Sequence, residues 1–561
     1  MLPRCPQGSV VDSAGALPRN RSSHLILPAI LVRRGKYSVA DPLFVEERRP
    51  VLVARKLRRG AEAGDIVLVS VREKNRSLRG EVTRVIGTSH DPRNVYEALF
   101  ASIGTSRRFP RNVEEEAEAV AGREFGERRD LRRLPTVTID GADARDFDDA
   151  ISVERVGDGY RLWVHIADVT HYVEPGGALD TQAAYRGNSV YLPGTVAPML
   201  PQRLSNDLCS LKPSIERAAV TVEIEVSPDG EARSTRAYRS LIVSDARLTY
   251  DEVDAFLRGE GDVELPAMIE GAYYLSRTLK TRAIRRGKLE LGGREPEYDI
   301  DEEGIPTGAR MRRSTPAREL IEELMVLANE SVARVLLRKR GGVFRAHERP
   351  DTESLELLAQ RLAAIGLQAE PTPENLGTIA QKAKSDAVNY LILRSIPRAL
   401  YSPRPAGHYG LALEDYVHFT SPIRRYADVL AHRALLGDEA PGDLAGVSAH
   451  VSEREYQSMI CERTADEYTL MWLMHDRVGD VMEGTVVSTA AFGLFVELET
   501  GATGLVHVSK LPGWWELEPS GVVISNDEIG ASYRVGDRIL VELLEVLPLM
   551  QRAELRVVKR L

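Results

Sequence analysis

Apolar and polar residues alternate along this chain in three different rhythms. From Gly35 to Gly87 the apolar positions come in short runs, such as Val51-Leu52-Val53-Ala54 and Ile66-Val67-Leu68-Val69-Ser70-Val71, followed by Gly80-Glu81-Val82-Thr83-Arg84-Val85-Ile86. Short strands with turn signals at this spacing predict a small β-barrel. Residues 91–133 are helix-like and densely charged, as a connector would be. From about 134 to 476 the pattern is mixed: apolar residues recur at three- and four-residue steps over Ser314–Arg338, Asp351–Gly366 and Val447–Met474, which predicts helices. From Gly479 to Leu561 short runs return, among them Gly484-Thr485-Val486-Val487, Gly493-Leu494-Phe495-Val496-Glu497-Leu498, Gly504-Leu505-Val506-His507-Val508 and Gly536-Asp537-Arg538-Ile539-Leu540-Val541-Glu542. They read as strands of a second, five-stranded barrel. Residues 1–34, rich in Pro, Ser, Gly and Arg, read as an irregular or disordered extension. The expected architecture is α+β and multidomain, a mixed α/β core between two small OB-type β-barrels.

Length agrees with this plan, since 561 residues exceed what one hydrophobic core organises. A hydrophobic share of 43% and a charged share of 28% are those of a soluble globular chain. Nothing approaches the run of about 18 apolar residues that crosses a bilayer. Cys5, Cys209 and Cys461 lack paired spacing, so neither a zinc site nor a disulfide framework is indicated, and a reducing, cytoplasmic setting follows. The Arg-rich, acid-poor start leaves an organellar transit peptide as the alternative. A net charge of −9 argues against indiscriminate coating of nucleic acid. A basic channel inside an acidic shell is still compatible with it, so any RNA-binding claim rests on local motifs.

The most informative stretch is Thr138-Ile139-Asp140-Gly141-Ala142-Asp143-Ala144-Arg145-Asp146-Phe147-Asp148-Asp149-Ala150, with five aspartates in ten residues. Carboxylates this close repel one another unless positive charge sits among them. Hard cations such as Mg²⁺ or Mn²⁺ take oxygen ligands and can bridge a phosphate. A solvated acidic turn is the bland alternative. A calcium loop is another, although the spacing lacks the twelve-residue register ending in glutamate.

Further blocks narrow the choice: Tyr191-Leu192-Pro193-Gly194, Met199-Leu200-Pro201, Asp207-Leu208-Cys209-Ser210-Leu211, Gly407-His408-Tyr409-Gly410-Leu411-Ala412-Leu413, and His418-Phe419-Thr420-Ser421-Pro422-Ile423-Arg424-Arg425-Tyr426-Ala427-Asp428. Together with the aspartates they resemble the RNB catalytic domain of the ribonuclease II/R family over residues 134–476, in wording closer to its R branch. The resemblance implies a processive, metal-dependent 3′-to-5′ exoribonuclease that acts on single-stranded RNA, releases nucleoside 5′-monophosphates and works as a monomer away from membranes. It implies that Asp140, Asp146, Asp148 and Asp149 build the Mg²⁺ site, with Mn²⁺ as substitute and Asp148 the most critical carboxylate. Asp143 falls at a variable position. By the same resemblance Arg424 grips the scissile phosphate, with Arg425 a weaker candidate, and Glu462 lies near the terminal nucleotide. Tyr191 stacks on the last base, and Tyr250 and Glu322 read the 2′-hydroxyl. The family's second clamping aromatic has Leu291 as its counterpart here, which puts the full base clamp and the minimum product length in question.

The C-terminal barrel, residues 479–561, resembles an S1-type OB fold in which Phe492, Phe495 and His507 match surface stacking positions; Trp514 and Trp515 have no assigned role. The N-terminal barrel, residues 35–90, weakly resembles a cold-shock-type OB fold, with Tyr37 and Phe44 its sparse aromatics; a helix-turn-helix module is the alternative. Rival readings are a non-catalytic RNA-binding regulator on the same domain, an endonuclease with an open cleft, and a calcium-binding structural protein.

Overall fold

The computed structural model describes residues 25–561 apart from 75, 340 and 439–441. The extension over residues 1–24 and Cys5 lie outside the described residues. The chain forms two compact units, Met1–Gly104 and Thr105–Leu561.

In the first unit the strands Leu25–Arg34, Tyr37–Pro42, Val51–Val53, Asp65–Lys74 and Ser77–Thr88 close into a barrel, with the fifth strand lying between the third and fourth. Every second residue points inward, so Leu27, Ala29, Leu31, Val67, Val69 and Val82 make the core. The barrel begins ten residues earlier than the polar start suggests, and residues 25–34 are strand instead of irregular extension. Pro28 does not break this strand: its carbonyl accepts from the Leu43 amide at 2.9 Å. The closed barrel also replaces the helix-turn-helix alternative. The segment 91–133 is not one connector. Helix Pro92–Ser102, capped by Asp91, packs on the barrel strands through Val95, Leu99 and Phe100, whereas helix Arg111–Ala119 belongs to the second unit.

The second unit is built on a seven-stranded sheet. Its order is Ala246–Thr249, Val137–Asp140, Asp149–Val156, Gly159–Ala167, Glu216–Val226, Ala232–Val243 and Arg129–Asp130. The central strands are antiparallel and the two outer pairings parallel. One face buries Ile151, Val164, Val222 and Ile224 under the helices Pro266–Arg286 and Pro316–Lys339, through Leu275, Leu320, Leu324 and Ala328. The other face carries a buried polar chain. Thr136 meets Ser152 (2.9 Å), Ser152 meets His165 (3.1 Å), His165 meets Thr221 (2.8 Å), and Thr221 meets Ser240 (2.6 Å). Burial is tolerated there because each group has a partner.

The C-terminal strands Val481–Ala490, Gly493–Leu498, Thr503–His507, Arg538–Leu547 and Arg552–Arg560 close a second barrel. A three-stranded excursion between residues 516 and 534 holds Trp515 stacked on Tyr533 at 5.3 Å. The long helix Leu444–Met474 and the hairpin Glu295–Ile300/Pro306–Arg312 pack Leu470, Met471, Met474, Tyr298 and Ala309 against this barrel's core. Three short helices, Thr352–Ala364, Leu376–Ala383 and Asp386–Ser395, form a further cluster with Val522, Val523 and Val535, and Leu291 packs partly buried against it. Among the described residues no helix is long and apolar enough to span a membrane.

Candidate active site

The four aspartates reach one edge of the sheet because the chain makes a long hairpin there. Strand Val137–Asp140 ends at Asp140, the next strand opens at Asp149, and the register pairs Val137 with Ile151. The intervening loop is fixed by its backbone: the Phe147 amide donates to Ser210 Oγ (3.1 Å), and the Phe147 carbonyl accepts from the Leu211 amide (3.0 Å). Arg247 Nη2 donates to the carbonyls of Gly141 (2.7 Å) and Ala142 (2.6 Å).

Opposite the aspartates lies the segment Thr420–Arg425. Its Ile423 amide donates to Asp148 Oδ1 at 2.8 Å, and Arg424 Nε stands 3.6 Å from Asp148 Oδ2. Arg424 also donates through Nη2 to Ser421 Oγ (2.9 Å), while its carbonyl accepts from the Ser189 amide (2.9 Å). Arg425 is occupied differently. Its guanidinium pairs with the buried Asp428 at 2.8 Å, and the same carboxylate oxygen accepts from the Ser421 amide (2.8 Å). The sequence marks Arg425 as an RNA contact, but in the fold it braces the loop that carries Arg424.

Tyr191 completes the front of the site. The residue is 43% exposed, its hydroxyl donates to Asp146 Oδ2 (2.8 Å), and its amide donates to Glu462 Oε1 (2.9 Å). Burial and the Asp146 charge push the Tyr191 hydroxyl up. Tyr250, at the start of helix Tyr250–Leu257, is likewise pushed up by burial and by the charges of Asp149 and Asp140, which sets it beside the cluster; Arg318 lies over its ring at 4.9 Å. Burial raises the Glu462 carboxyl to about 7. Glu322 bonds elsewhere, to Lys288 Nζ at 2.8 Å, and Lys288 also holds the buried Glu323 (2.6 Å). On the C-terminal barrel Phe492 and Phe495 meet edge-on at 6.0 Å, and Gly493 pairs with His507, so these three aromatics share one patch.

The electrostatics of the cluster ask for a cation. Burial, then repulsion from Asp149 and Asp146, raises Asp140 to about 8. Burial lifts Asp148 well above the carboxylate range against the pull of Arg424 and the Ile423 amide, and burial lifts Asp149 to about 6. Asp140 Oδ2 and Asp148 Oδ2 are buried and accept no hydrogen bond. Buried carboxylate oxygens without donors are costly unless a metal or proton meets them. Among the described residues, no three His, Cys, Asp or Glu side chains converge into a complete metal cage. The bare oxygens of Asp140 and Asp148 are the donors on which a hard cation would rest, with water and substrate phosphate able to complete its shell. The residues present therefore fit a divalent metal.

An RNB domain model matches residues 128–437 and an S1 RNA-binding domain model residues 475–549. The chain is also 35% identical to ribonuclease R of Vibrio cholerae, over 96% of this chain and 72% of that one. The chain belongs to the ribonuclease II/R family. It is accordingly an exoribonuclease that works on RNA in the 3′-to-5′ direction, in a family of metal-dependent nucleases. The structure of Mycoplasma genitalium RNase R in complex with ribose-methylated single-stranded RNA superposes with a TM-score of 0.88 at 26% identity, covering 96% of this chain and 90% of that one. Yeast Ssd1, described as a pseudonuclease, matches with a TM-score of 0.70 at 19% identity, covering 92% of this chain and 68% of that one.

Sequence reasoning gave no role to Ser210, Ser421, Asp428, Arg247 or Lys288, although the first three stand inside its motifs. Arg247 and Ser210 bond to backbone groups and Lys288 to a glutamate distant in sequence, partners that leave no side-chain pattern, whereas Ser421 and Asp428 lie only three residues from the arginines they hold.

Proposed function

We propose that this chain degrades single-stranded RNA processively from its 3′ end to nucleoside 5′-monophosphates with Mg²⁺, Mn²⁺ serving as substitute. The observation that carries this reading is the pair of buried, donor-less oxygens of Asp140 and Asp148 facing Arg424. Asp140 and Asp149 would hold Mg²⁺, Asp148 the second metal or the reacting groups, and Asp146 would complete the set. A divalent cation there supplies charge neutralisation and activates a water for phosphodiester hydrolysis. Arg424 presents a fixed fork of donors to the scissile phosphate. The exposed face of Tyr191 stacks on the terminal base, a contact that tolerates any sequence. Its hydroxyl, bonded to Asp146, ties base position to the carboxylate cluster. Glu462 accepts from the Tyr191 amide and orients that aromatic beside the terminal nucleotide.

Tyr250 reads the 2′-hydroxyl, and Glu322, steadied by Lys288, offers its free oxygen for the same task. The S1-type patch of Phe492, Phe495 and His507 gathers incoming single strand, and the N-terminal barrel acts as a cold-shock-type platform. The catalytic RNB domain covers 134–476 and the S1 domain 479–561. The enzyme acts as a cytoplasmic monomer, a setting in which the buried thiols of Cys209 and Cys461 stay reduced.

The rival reading from the sequence is the non-catalytic RNA-binding regulator on the same domain. A single assay separates the two: 5′-labelled RNA, with and without Mg²⁺, native chain against Asp148→Asn. The Asn side chain keeps an oxygen for the Ile423 amide and loses the charge. Metal-dependent shortening from the 3′ end that falls by about 10²–10³-fold in the variant supports the nuclease reading. RNA that is bound but left intact by the native chain establishes the binder.

A further inference from the structure

We infer that Ser210, outside the carboxylate cluster, is the residue that positions Asp146 for the reaction, and that Arg217 anchors it. The inference rests on the reading of Asp146 as a member of the metal and phosphate site.

The Ser210 hydroxyl grips the chain on both sides of Asp146. It donates to the Arg145 carbonyl at 2.8 Å and accepts from the Phe147 amide at 3.1 Å. Those are the two peptide groups that flank the Asp146 α-carbon, so one side chain sets the direction in which that carboxylate leaves the backbone. The neighbouring Leu211 amide closes a third bond on the Phe147 carbonyl (3.0 Å). Phe147 itself is buried, packed in the core that also contains Cys209 and Leu211. The loop carrying Asp146 and Asp148 is therefore stapled through its backbone around Asp146, while its carboxylates meet the Tyr191 hydroxyl and the Ile423 amide.

Ser210 is itself held rigidly. It is fully buried, and its carbonyl accepts from Arg217 Nε at 2.8 Å. Arg217 Nη2 reaches the Asp207 carbonyl at 3.0 Å. Arg217 lies on the central strand Glu216–Val226, so the staple is referenced to the sheet that also presents Asp149. Residues 204–208 just before it form a π-helical turn, an uncommon arrangement that recurs at functional sites. The payoff is at the far end of Asp146. Its Oδ2 accepts from the Tyr191 hydroxyl at 2.8 Å, so the direction set by Ser210 also governs how the aromatic meets the carboxylates. A group that must be placed within a fraction of an ångström needs such outside support.

No atom of Ser210 has a place in the chemistry, so it is a positioning residue, and the test must separate positioning from bulk stability. The full chain is prepared native, as Ser210→Ala and as Ser210→Thr, which keeps the hydroxyl. Ser210→Ala should lower kcat by about tenfold or more at saturating RNA while KM stays within about twofold. It should weaken Mn²⁺ binding measured by calorimetry and leave RNA affinity in EDTA unchanged. Ser210→Thr should recover most of kcat and of the Mn²⁺ affinity. Hydrogen exchange of the native chain should show the Phe147 amide protected, and the Ala variant should lose that protection while the strands Gly159–Ala167 and Glu216–Val226 keep theirs. An unprotected Phe147 amide in the native chain overturns the inference, even if the Ala variant fails to fold. So does a Ser210→Ala variant with native kcat and native Mn²⁺ affinity. If the native chain leaves RNA intact, the catalytic reading fails, while Mn²⁺ binding and amide exchange still judge the staple.

Discussion

Replacing Arg424 with methionine removes the guanidinium that faces the buried Asp148 carboxylate. At 3.6 Å the Arg424 Nε and Asp148 Oδ2 attract each other by about 4–5 kcal/mol at an effective dielectric of about 20. The Arg424 side chain is 44% exposed, so water screens this to about 1–3 kcal/mol in the resting enzyme. The larger effect belongs to the transition state, where charge builds on the phosphate and a charged, fixed donor acts in a partly dry site. Loss of one such donor typically costs about 2.7–4 kcal/mol, or 10²–10³-fold in kcat. Arg424→Met should show this drop in single-turnover cleavage of a 5′-labelled RNA at saturating Mg²⁺. Arg424→Lys keeps the charge but not the fork that also reaches Ser421, and should fall between, about tenfold below native. The bond from the Ser189 amide to the Arg424 carbonyl survives both changes, so the loop should hold, as near-ultraviolet circular dichroism would report. A methionine variant within about fivefold of native kcat would refute the role of Arg424 as the phosphate grip.

Two further outcomes follow from named contacts. Tyr191→Ala should weaken binding of short single-stranded RNA by about 1–3 kcal/mol in fluorescence titration, whereas Tyr191→Phe, which loses only the bond to Asp146, should keep binding and lower kcat. Burial lowers the His165 imidazole to about 3, below its unfolded value near 6.5, so its contribution to stability is full above pH 6.5 and is lost as pH falls toward 3. Between pH 7.5 and 5 this amounts to about 2 kcal/mol. Urea unfolding of the native chain and of His165→Gln should show losses of unfolding free energy between the two pH values that differ by that amount, and equal losses would mean that His165 is not buried neutral.

The chain's own text determined the parts of this protein that depend on local rules. Short apolar runs separated by turn signals marked both barrels, and three- and four-residue periods marked the helices that became Pro316–Lys339, Thr352–Ala364 and Leu444–Met474. Asp140, Asp146, Asp148 and Asp149 were visible because repulsive carboxylates are rarely crowded without a cation to meet them. Tertiary structure decided what those residues do to one another. Arg424 and Arg425 are adjacent and chemically identical, yet one faces Asp148 and the other pairs with the buried Asp428, because the loop between Thr420 and Tyr426 turns between them. Leu291 reads as a substituted clamp, but in the fold it packs on a helical cluster joined to the C-terminal barrel. Ser210 looks like any small polar residue until the fold sets its hydroxyl between two peptide groups of a loop more than sixty residues earlier in the chain. Periodicity and charge are local quantities and survive in one dimension; the direction of a side chain and the partner of a backbone amide exist only once distant segments have packed.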